Sequence, residues 1–178
     1  LTLIPTVDGS TWYHHEENSD WRVYDFIENS ICLQAPETPE DFYQSAIAFG
    51  TFQQQLNGFP AETLHETIKN FHNTPDRYRI FREVLEKDVM GRAENVQPEI
   101  DFVLAHEEIG SRLIRMLKAG ELPLRVTHND TKLNNVMLSD TTRTPLCVID
   151  LDTTMPGLSA YDFGDSIRFG AATAAEDE

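Results

Sequence analysis

Basic residues are scarce in this sequence. Its 178 residues include 14 Lys and Arg against 30 Asp and Glu, which leaves a formal net charge of −16 at pH 7. A protein that binds nucleic acid or an anionic membrane must neutralise phosphates with cationic side chains. The composition therefore argues against both partners, and it requires that any bound phosphate be held by a local set of residues.

Cysteine and long apolar runs are also few. Cys32 and Cys147 are the two cysteines, and Cys147 lies inside an apolar segment, which argues against a disulfide framework. No apolar run approaches the ~18 residues that a membrane span requires, and no charged-then-apolar signal segment opens the chain. We therefore expect a reducing compartment and predict a cytoplasmic protein.

Apolar residues make up 40% of the chain and aromatic residues 10%, which is enough for a core in one domain of ordinary size. Hydrophobic periodicity and turn residues predict antiparallel strands followed by at least three helices. The predicted strands cover residues 1–7, 11–13 and 21–27, and the predicted helices cover 39–56, 63–71, 74–92 and 98–118. Residues 153–157 are predicted as a turn, and residues 161–165 are predicted to lead into a helix that runs through Phe169. The positions predicted to face inward are Phe42, Ala46, Phe49 and Leu56 in the first helix, and Ile109, Leu113, Met116 and Leu117 in the fourth.

The stretch from Val126 to Asn135 has the most informative spacing. An apolar strand delivers His128 and Asp130, and a polar loop then leads to Asn135. This His-x-Asp-x-x-x-x-Asn spacing equals that of the catalytic loop in the protein-kinase signature. Phosphoryl transfer uses a carboxylate to orient the attacking hydroxyl and an amide oxygen to help hold Mg²⁺, so the loop predicts a phosphotransferase.

A second apolar strand, Cys147-Val-Ile, ends in Asp150 and Asp152. Buried strands seldom end in Asp-x-Asp unless a cation or a strong donor meets the carboxylates, because an unpaired buried charge is costly. In the kinase signature a metal-binding Asp follows the catalytic loop on a later strand. We therefore predict that Asp150 binds the metal and that Asp152 shares it.

These segments resemble the aminoglycoside phosphotransferase and choline kinase superfamily, whose members share the kinase fold but phosphorylate small molecules. Four segments are similar to the N-acetylhexosamine 1-kinases: Thr-His-Asn-Asp-Thr-Lys-Leu-Asn-Asn at 127–135, Val-Ile-Asp-Leu-Asp-Thr at 148–153, Met-Pro-Gly at 155–157 and Tyr-Asp-Phe-Gly-Asp-Ser-Ile-Arg-Phe-Gly at 161–170. Weaker similarity reaches back through residues 21–27, so the resemblance covers most of the chain.

The resemblance implies an α+β, protein-kinase-like fold, with the end of the N-lobe sheet and the hinge at residues 1–30 and the helical C-terminal lobe at 31–178. It implies an ATP- and Mg²⁺-dependent kinase that phosphorylates a small-molecule hydroxyl, above all the anomeric hydroxyl of an N-acetylhexosamine. It assigns Asp130 as the base, Lys132 to the transferring phosphate, and Asn135 and Asp150 to the metal. It also places backbone groups around Asp25 and Ile27 against adenine. His128 is a further candidate catalytic residue in the same loop, and we expect Asp152 to share the metal.

Other interpretations remain open. The acceptor can instead be choline or an aminoglycoside, or the chain can be a kinase-like binding fragment without turnover. A phosphatase that uses Asp150 and Asp152 as nucleophile and acid leaves His128, Lys132 and Asn135 unexplained. The triplet Asp162-Phe-Gly matches the letters of the metal-binding triplet of protein kinases but follows a Pro-Gly turn, so we expect Asp162 to brace the catalytic loop, as the matching Asp does in relatives.

Glycine and lysine are nearly missing before the expected hinge. Gly9 is the one glycine there, Lys69 is the first lysine of the chain, and Arg22 is the sole upstream cation, at a position where the resemblance places no phosphate contact. Kinase catalysis needs a phosphate-covering loop and a small-lobe cation. Since the chain also opens on Leu1, we expect a piece of a longer protein that is inactive by itself. The sequence gives no signal for an oligomeric state.

Overall fold

The computed structural model describes residues 1–16 and 19–172, which form two compact units. Unit 1 contains Leu1–Gln55, Asp130–Asp152 and the described residues from Asp162 onward, and unit 2 contains Leu56–Asn129 and Thr153–Tyr161. Glu17 and Asn18, in the polar loop expected before Trp21, lie outside the described residues. Residues on both sides of the expected lobe boundary at 30/31 belong to unit 1. The two units therefore do not correspond to the two expected lobes, and the lobe assignment stays a prediction.

The described residues contain short strands and one long helix near the N-terminus. The strands are β1 (Tyr13–His15), β2 (Ser19–Trp21), β3 (Ser30–Ile31), β4 (Arg125–Thr127), β5 (Val136–Ser139), β6 (Pro145–Val148) and β7 (Met155–Gly157). The α-helices are α1 (Pro39–Gln55), α2 (Thr74–Lys87), α3 (Gln97–Ala105), α4 (Glu107–Gly110), α5 (Arg112–Lys118) and α6 (Ser159–Ala171). Single 3₁₀ turns lie at Ala61–Thr63, Ala93–Val96, Leu133–Asn135 and Leu151–Thr153. None of these helices combines the length and the apolar character needed to cross a membrane.

The centre of unit 1 is an antiparallel sheet with strand order β3-β5-β6. Its buried face packs against α1, where Ala48 and Phe49 meet Val136 and Leu138 in one hydrophobic cluster. Both β5 residues are completely buried. Because β5 directly follows the polar loop that ends at Asn135, this core fixes the point where the loop enters the sheet.

Helix α1 begins and ends close to the prediction. The Asp41 carboxylate accepts hydrogen bonds from the Thr38 amide and hydroxyl, at 2.9 Å and 3.0 Å, which satisfies donors at the helix start. The predicted inward stripe was wrong at Ala46, which is exposed, whereas Asp41 and Ser45 are buried. Apolar periodicity missed this face because two of its members are polar residues that sequence hydropathy assigns to the outside.

The N-terminal strands are antiparallel, as predicted, but shorter than predicted. β1 pairs with β2, and His14 of β1 lies opposite Asp20 and contacts it at 2.7 Å. Of the predicted strands at 1–7 and 21–27, only an isolated bridge between Leu3 and Tyr24 forms outside β2. All three residues of β1 are exposed, and strands without a packed face are marginal.

Unit 2 contains the pair β4-β7 and the helices α2 to α5. The turn predicted at 153–157 was wrong, since Met155–Gly157 forms a strand that pairs antiparallel with Arg125–Thr127. The hydroxyl of Thr127 donates to the backbone carbonyl of Met155 at 3.0 Å, which reinforces the pair. This strand was not visible in the sequence because Pro156 and Gly157 are typical of turns.

The predicted helix at 98–118 is broken into α3, α4 and α5. The hydroxyl of Tyr78 donates to the carbonyl of Val103 at 2.9 Å, which is the carbonyl that an unbroken helix would pair with the amide of Glu107. The helix is interrupted at His106 and again at Ser111. The prediction that Ile109 faces inward was wrong, since this residue is 71% exposed. The prediction assumed one unbroken helix, and the interruption changes which residues share a face.

Two further helix predictions in unit 2 were wrong. Residues 64–71 form no helix: the amide of Ile68 donates to the sulfur of Met155 at 3.3 Å, and Asn70 has a φ of 58°. Helix α2 begins as predicted but ends at Lys87 rather than near 92, since Asp88 takes a φ of 29°. Sequence periodicity does not detect such contacts and backbone angles.

Candidate functional site

The polar loop after β4 brings three of the predicted catalytic and metal residues together. The side-chain amide of Asn135 donates to the Asp130 carboxylate at 3.0 Å and to the Asp130 backbone carbonyl at 2.9 Å. The ammonium of Lys132 lies 3.5 Å from the other carboxylate oxygen, and both side chains are about three-quarters buried, with 23% and 26% exposed. The carboxylate of Asp130 is therefore oriented from two sides, while it stays partly accessible.

The backbone of this loop is held by a residue that the sequence analysis did not assign. The carboxylate of Asp165 accepts from the Thr131 amide at 2.7 Å and from the Thr131 hydroxyl at 3.2 Å. The other Asp165 oxygen accepts two hydrogen bonds from Arg168, at 3.1 Å and 3.0 Å. Thr131 lies between Asp130 and Lys132, so Asp165 fixes the backbone between them. The spacing of Asp165 and Arg168 on a helix was the only available signal.

Asp162 lies in α6 and is 4% exposed. Its carboxylate accepts a short hydrogen bond from the side chain of Gln53, and its backbone carbonyl accepts from the Thr131 hydroxyl at 2.8 Å. The Thr131 hydroxyl is thus bound by the backbone of Asp162, whereas the Thr131 amide is bound by the carboxylate of Asp165. The neighbouring Phe163 is 70% exposed, so the triplet that begins at Asp162 is an ordinary segment of helix.

The first residues of the motif belong to unit 2. His128 is completely buried, and its backbone carbonyl accepts from the Thr153 hydroxyl at 2.7 Å. Asn129 has a φ of 69°, and its side-chain amide donates to the carbonyls of Thr127 and Thr153, at 3.2 Å and 2.8 Å. An Asn tolerates this left-handed backbone better than most residues. The turn before Asp130 is therefore held by side chains that bind its backbone carbonyls, and His128 is buried in that turn.

Of the residues predicted to hold a metal, Asn135 directly precedes β5, Asp150 follows the end of β6, and Asp152 lies in the 3₁₀ turn that comes next. β5 pairs with β6, and the amide of Ile149 donates to the carbonyl of Asn135 at 2.9 Å, which continues that pairing by one step. Asp150 comes next, is exposed and has a φ of 58°. Two carboxylates and an amide oxygen are the donor types that Mg²⁺ prefers, so the chemistry of Asn135, Asp150 and Asp152 fits a divalent cation. Among the described residues, no group of three or more His, Cys, Asp and Glu side chains is placed to hold a metal.

A cavity of about 530 Å³ in unit 1 joins two of the predicted sets. Asp25 and Ile27, predicted for adenine, line it together with Asp150 and Asp152, predicted for the metal. Its volume lies in the range of small-molecule and cofactor pockets. Asp130, Lys132 and Asn135 are absent from the described residues that line it.

Arg22 also lines this cavity, and it contacts one of the predicted metal ligands. Its guanidinium lies 2.6 Å from the carboxylate of Asp152, which is 130 residues away in the sequence. The sequence analysis placed no contact for Arg22 here. Only the tertiary structure brings the two side chains together, and neither flanking sequence carries a signal for the pair.

Comparison with known proteins gives two findings. A sequence model described as "APH: Phosphotransferase enzyme family" matches residues 5–178. Among solved structures, the fold is similar to a GDP complex of wild-type aminoglycoside 2'-phosphotransferase-IIIa, with a TM-score of 0.57 and 15% sequence identity. The match covers 95% of this chain and 54% of that chain, so this chain spans about half the length of its neighbour. The predicted fold class, α+β and protein-kinase-like, is confirmed by this likeness.

Proposed function

Because the chain belongs to the phosphotransferase enzyme family, we propose that it is the part of an ATP-dependent small-molecule kinase that contains the catalytic loop. One observation carries the proposal. Asn135 bonds the Asp130 carboxylate through its side chain, and it bonds the residue before Asp150 through its backbone. A single residue thus links a candidate base to the segment that carries a candidate cation-binding carboxylate, and phosphoryl transfer uses both groups.

In this proposal Asp130 orients the acceptor hydroxyl and takes its proton. The oxygen then bonds the terminal phosphorus while the bond from that phosphorus to the leaving nucleoside diphosphate breaks. Asn135 and Lys132 keep the carboxylate in place, from 3.0 Å and 3.5 Å. Lys132 also supplies a positive charge next to the base, where the transferring phosphate must lie.

The cation-binding residues are the amide oxygen of Asn135 and the carboxylates of Asp150 and Asp152. A bound Mg²⁺ would neutralise charge on the nucleotide phosphates. Since the Asn135 nitrogen faces Asp130, the oxygen of the same amide is the atom available for this role. The pairing of Ile149 with Asn135 supports a common site for these ligands.

The cavity that contains Asp25 and Ile27 is the proposed adenine pocket. It is supported by its lining, which joins this segment to Asp150 and Asp152, and by the bound GDP of the structurally similar phosphotransferase. In this proposal, backbone groups around Asp25 and Ile27 rather than their side chains would bind the base. We place the enzyme in the cytoplasm, in keeping with the free thiols of Cys32 and Cys147.

For the acceptor we propose the anomeric hydroxyl of an N-acetylhexosamine. The support is the similarity of residues 127–135, 148–153 and 161–170 to the N-acetylhexosamine 1-kinases. Choline and aminoglycosides are the competing acceptors, and a kinase-like binding fragment is the competing class. The activity belongs to a longer protein in this proposal, because the chain spans about half of its structural neighbour and its first lysine is Lys69.

A substrate screen tests the function. The longer protein is incubated with Mg²⁺-ATP and, separately, N-acetylhexosamines, choline and aminoglycosides. Asp130→Asn should lower kcat by roughly 10²-fold or more while nucleotide binding persists, and Asp140→Asn, an exposed residue after β5, serves as the matched control. Turnover of Asp130→Asn within a few-fold of wild type would exclude Asp130 as the base. Absence of phosphorylation for every acceptor would favour the binding fragment.

A further inference from the structure

The cavity of unit 1 has an unfavourable charge for a nucleotide. Four aspartates line it, Asp20, Asp25, Asp150 and Asp152, and Arg22 is the only residue with a cationic side chain among its described lining residues. A nucleotide brings several negative charges, which the carboxylates repel. Binding therefore requires cations, and Arg22 is the one that the side chains of this cavity supply.

Arg22 is held by an interaction that is easily exchanged. Its guanidinium contacts the Asp152 carboxylate at 2.6 Å, and the two side chains are 48% and 74% exposed. Exposed ion pairs contribute little to stability, because water screens them and two flexible side chains must be ordered. A stronger partner for either side chain can therefore separate the pair without disturbing the fold.

The backbone on both sides of Arg22 is held by hydrogen bonds. β2 ends at Trp21, and the amide of Ile4 donates to the carbonyl of Val23 at 2.8 Å, so hydrogen-bonded residues flank Arg22 on both sides. The long side chain can therefore change its partner by rotation about its own bonds while the strand stays in place. The guanidinium of Arg22 can thus exchange one partner for another inside the same cavity.

A divalent cation and a guanidinium compete for the same Asp152 oxygens. A carboxylate that binds the cation attracts Arg22 less strongly, because its negative charge is already neutralised. The planar guanidinium can bind a phosphate group in the same way that it binds a carboxylate. We propose that Arg22 is a nucleotide-positioning residue that exchanges partners: it binds Asp152 before the cation arrives, and it binds a nucleotide phosphate once the cation occupies Asp152. This inference rests on the proposed function, since it requires a cation and a nucleotide in this cavity.

Two binding measurements with opposite expected signs test the exchange. Mn²⁺ binding without nucleotide is followed by electron paramagnetic resonance, and binding of a non-hydrolysable Mg²⁺-ATP analogue is followed by calorimetry, both in the longer protein. The variants are Arg22→Ala, Arg22→Gln and Arg22→Lys. Arg79→Ala is the matched control, because Arg79 is also an exposed, ion-paired arginine and lies in unit 2.

Removal of the guanidinium should tighten Mn²⁺ binding by up to about fivefold, because a weak competitor for Asp152 is lost. The same change should weaken binding of the Mg²⁺-ATP analogue by about ten- to hundredfold, because a charge-assisted hydrogen bond to phosphate is lost. Arg22→Lys should keep part of the analogue affinity, whereas Arg22→Gln should resemble Arg22→Ala. Arg79→Ala should change neither quantity.

Each other pattern contradicts the exchange. If Arg22→Ala weakens both ligands, Arg22 only supports the fold around Asp152. If it tightens both, Arg22 competes with the cation but does not contact phosphate, and if it changes neither, the pair has no part in binding. Failure of the proposed function gives a distinct result, because the wild-type protein would then bind no nucleotide. The phosphate contact of Arg22 would be excluded as well. Tighter Mn²⁺ binding by Arg22→Ala would still reveal the competition at Asp152.

Discussion

The backbone amide of Thr131 donates to the carboxylate of Asp165 at 2.7 Å. Thr131 separates Asp130 from Lys132, so this bond ties the backbone between a candidate base and a candidate phosphate-binding residue to helix α6. The second Asp165 oxygen is bound to Arg168 of the same helix. Asp165 is 14% exposed at its side chain, which shields the bond to Thr131 from water.

Loss of this carboxylate should loosen the catalytic loop. Asp165→Ala should destabilise the protein by about 1.5–3 kcal/mol, because the charged acceptor of a shielded amide is removed. Hydrogen exchange at the Thr131 amide should become markedly faster than at the amides of β5. In the longer protein kcat should fall more than nucleotide affinity does. The matched control Asp140→Ala should leave the exchange of Thr131 unchanged, and unchanged protection in Asp165→Ala would contradict the role.

The metal assignment is tested by three substitutions. Asp150→Asn removes the charge of Asp150 but keeps a residue that tolerates its φ of 58°, so lower affinity cannot be attributed to backbone strain. Asp150→Asn and Asn135→Ala should both weaken Mg²⁺-nucleotide binding, and excess Mg²⁺ should partly restore the Asn135 variant. Asp162→Ala should instead lower stability, because it removes a buried carboxylate that accepts a hydrogen bond from the side chain of Gln53. Isothermal titration of the longer protein with a non-hydrolysable nucleotide separates these outcomes. Normal affinity in Asp150→Asn together with lost affinity in Asp162→Ala would contradict the assignment of the metal to Asp150.

The start of α1 should make stability depend on pH. Burial raises the pKa of Asp41, but hydrogen bonds from Thr38 and the charge of Arg143 outweigh burial and hold the pKa below its usual value. A lowered folded-state pKa means that the charge of Asp41 stabilises the fold above its unfolded-state pKa of about 4, and that this contribution is lost as the pH falls through the lower value. Asp41→Asn should therefore have a lower urea midpoint than wild type at pH 7, and the difference should shrink on acidification. A difference that does not depend on pH would exclude this linkage.

The pair of β4 and β7 should not tolerate a side chain at Gly157. A Cβ atom there would lie 2.5 Å from the hydroxyl oxygen of Thr127 and 3.1 Å from the ring of Tyr161. Gly157→Ala should destabilise the protein by about 1–3 kcal/mol through overpacking. Gly164→Ala is the matched control, because nothing lies within 4 Å of its Cβ position in α6, and it should stabilise the helix by about 0.5–1 kcal/mol. Equal urea midpoints for the two variants would contradict the packing at Gly157.

Local chemistry was predictable wherever the residues that interact are neighbours in the sequence. Asp130, Lys132 and Asn135 lie within six residues, and their contacts follow from one tight loop whose spacing is visible in the chain. The start of α1 follows from Thr38 and Asp41 in the same way, since both partners of the cap lie within one turn. The protein-kinase-like fold followed from these motifs, which are specific enough to identify a family.

Features that depend on remote partners were not predictable. The break between α3 and α4 depends on the hydroxyl of Tyr78, and the irregular path at Ile68 depends on the sulfur of Met155. Hydrophobic periodicity describes the intrinsic preference of a segment for a helix. These tertiary contacts occupy a backbone carbonyl or amide that the helix would otherwise pair internally. A tertiary hydrogen bond to a helix carbonyl or amide can therefore override a good helical pattern.

The sequence by itself determined the chemical groups of the candidate site and the order in which the chain presents them. Tertiary structure alone decided which groups meet: Asp165 with Thr131, and Arg22 with Asp152 across 130 residues. Both pairs join segments that are separate in the chain. Their geometry depends on how α6 and β2 are packed, and long-range packing leaves no local pattern from which the partner of a charged side chain can be identified.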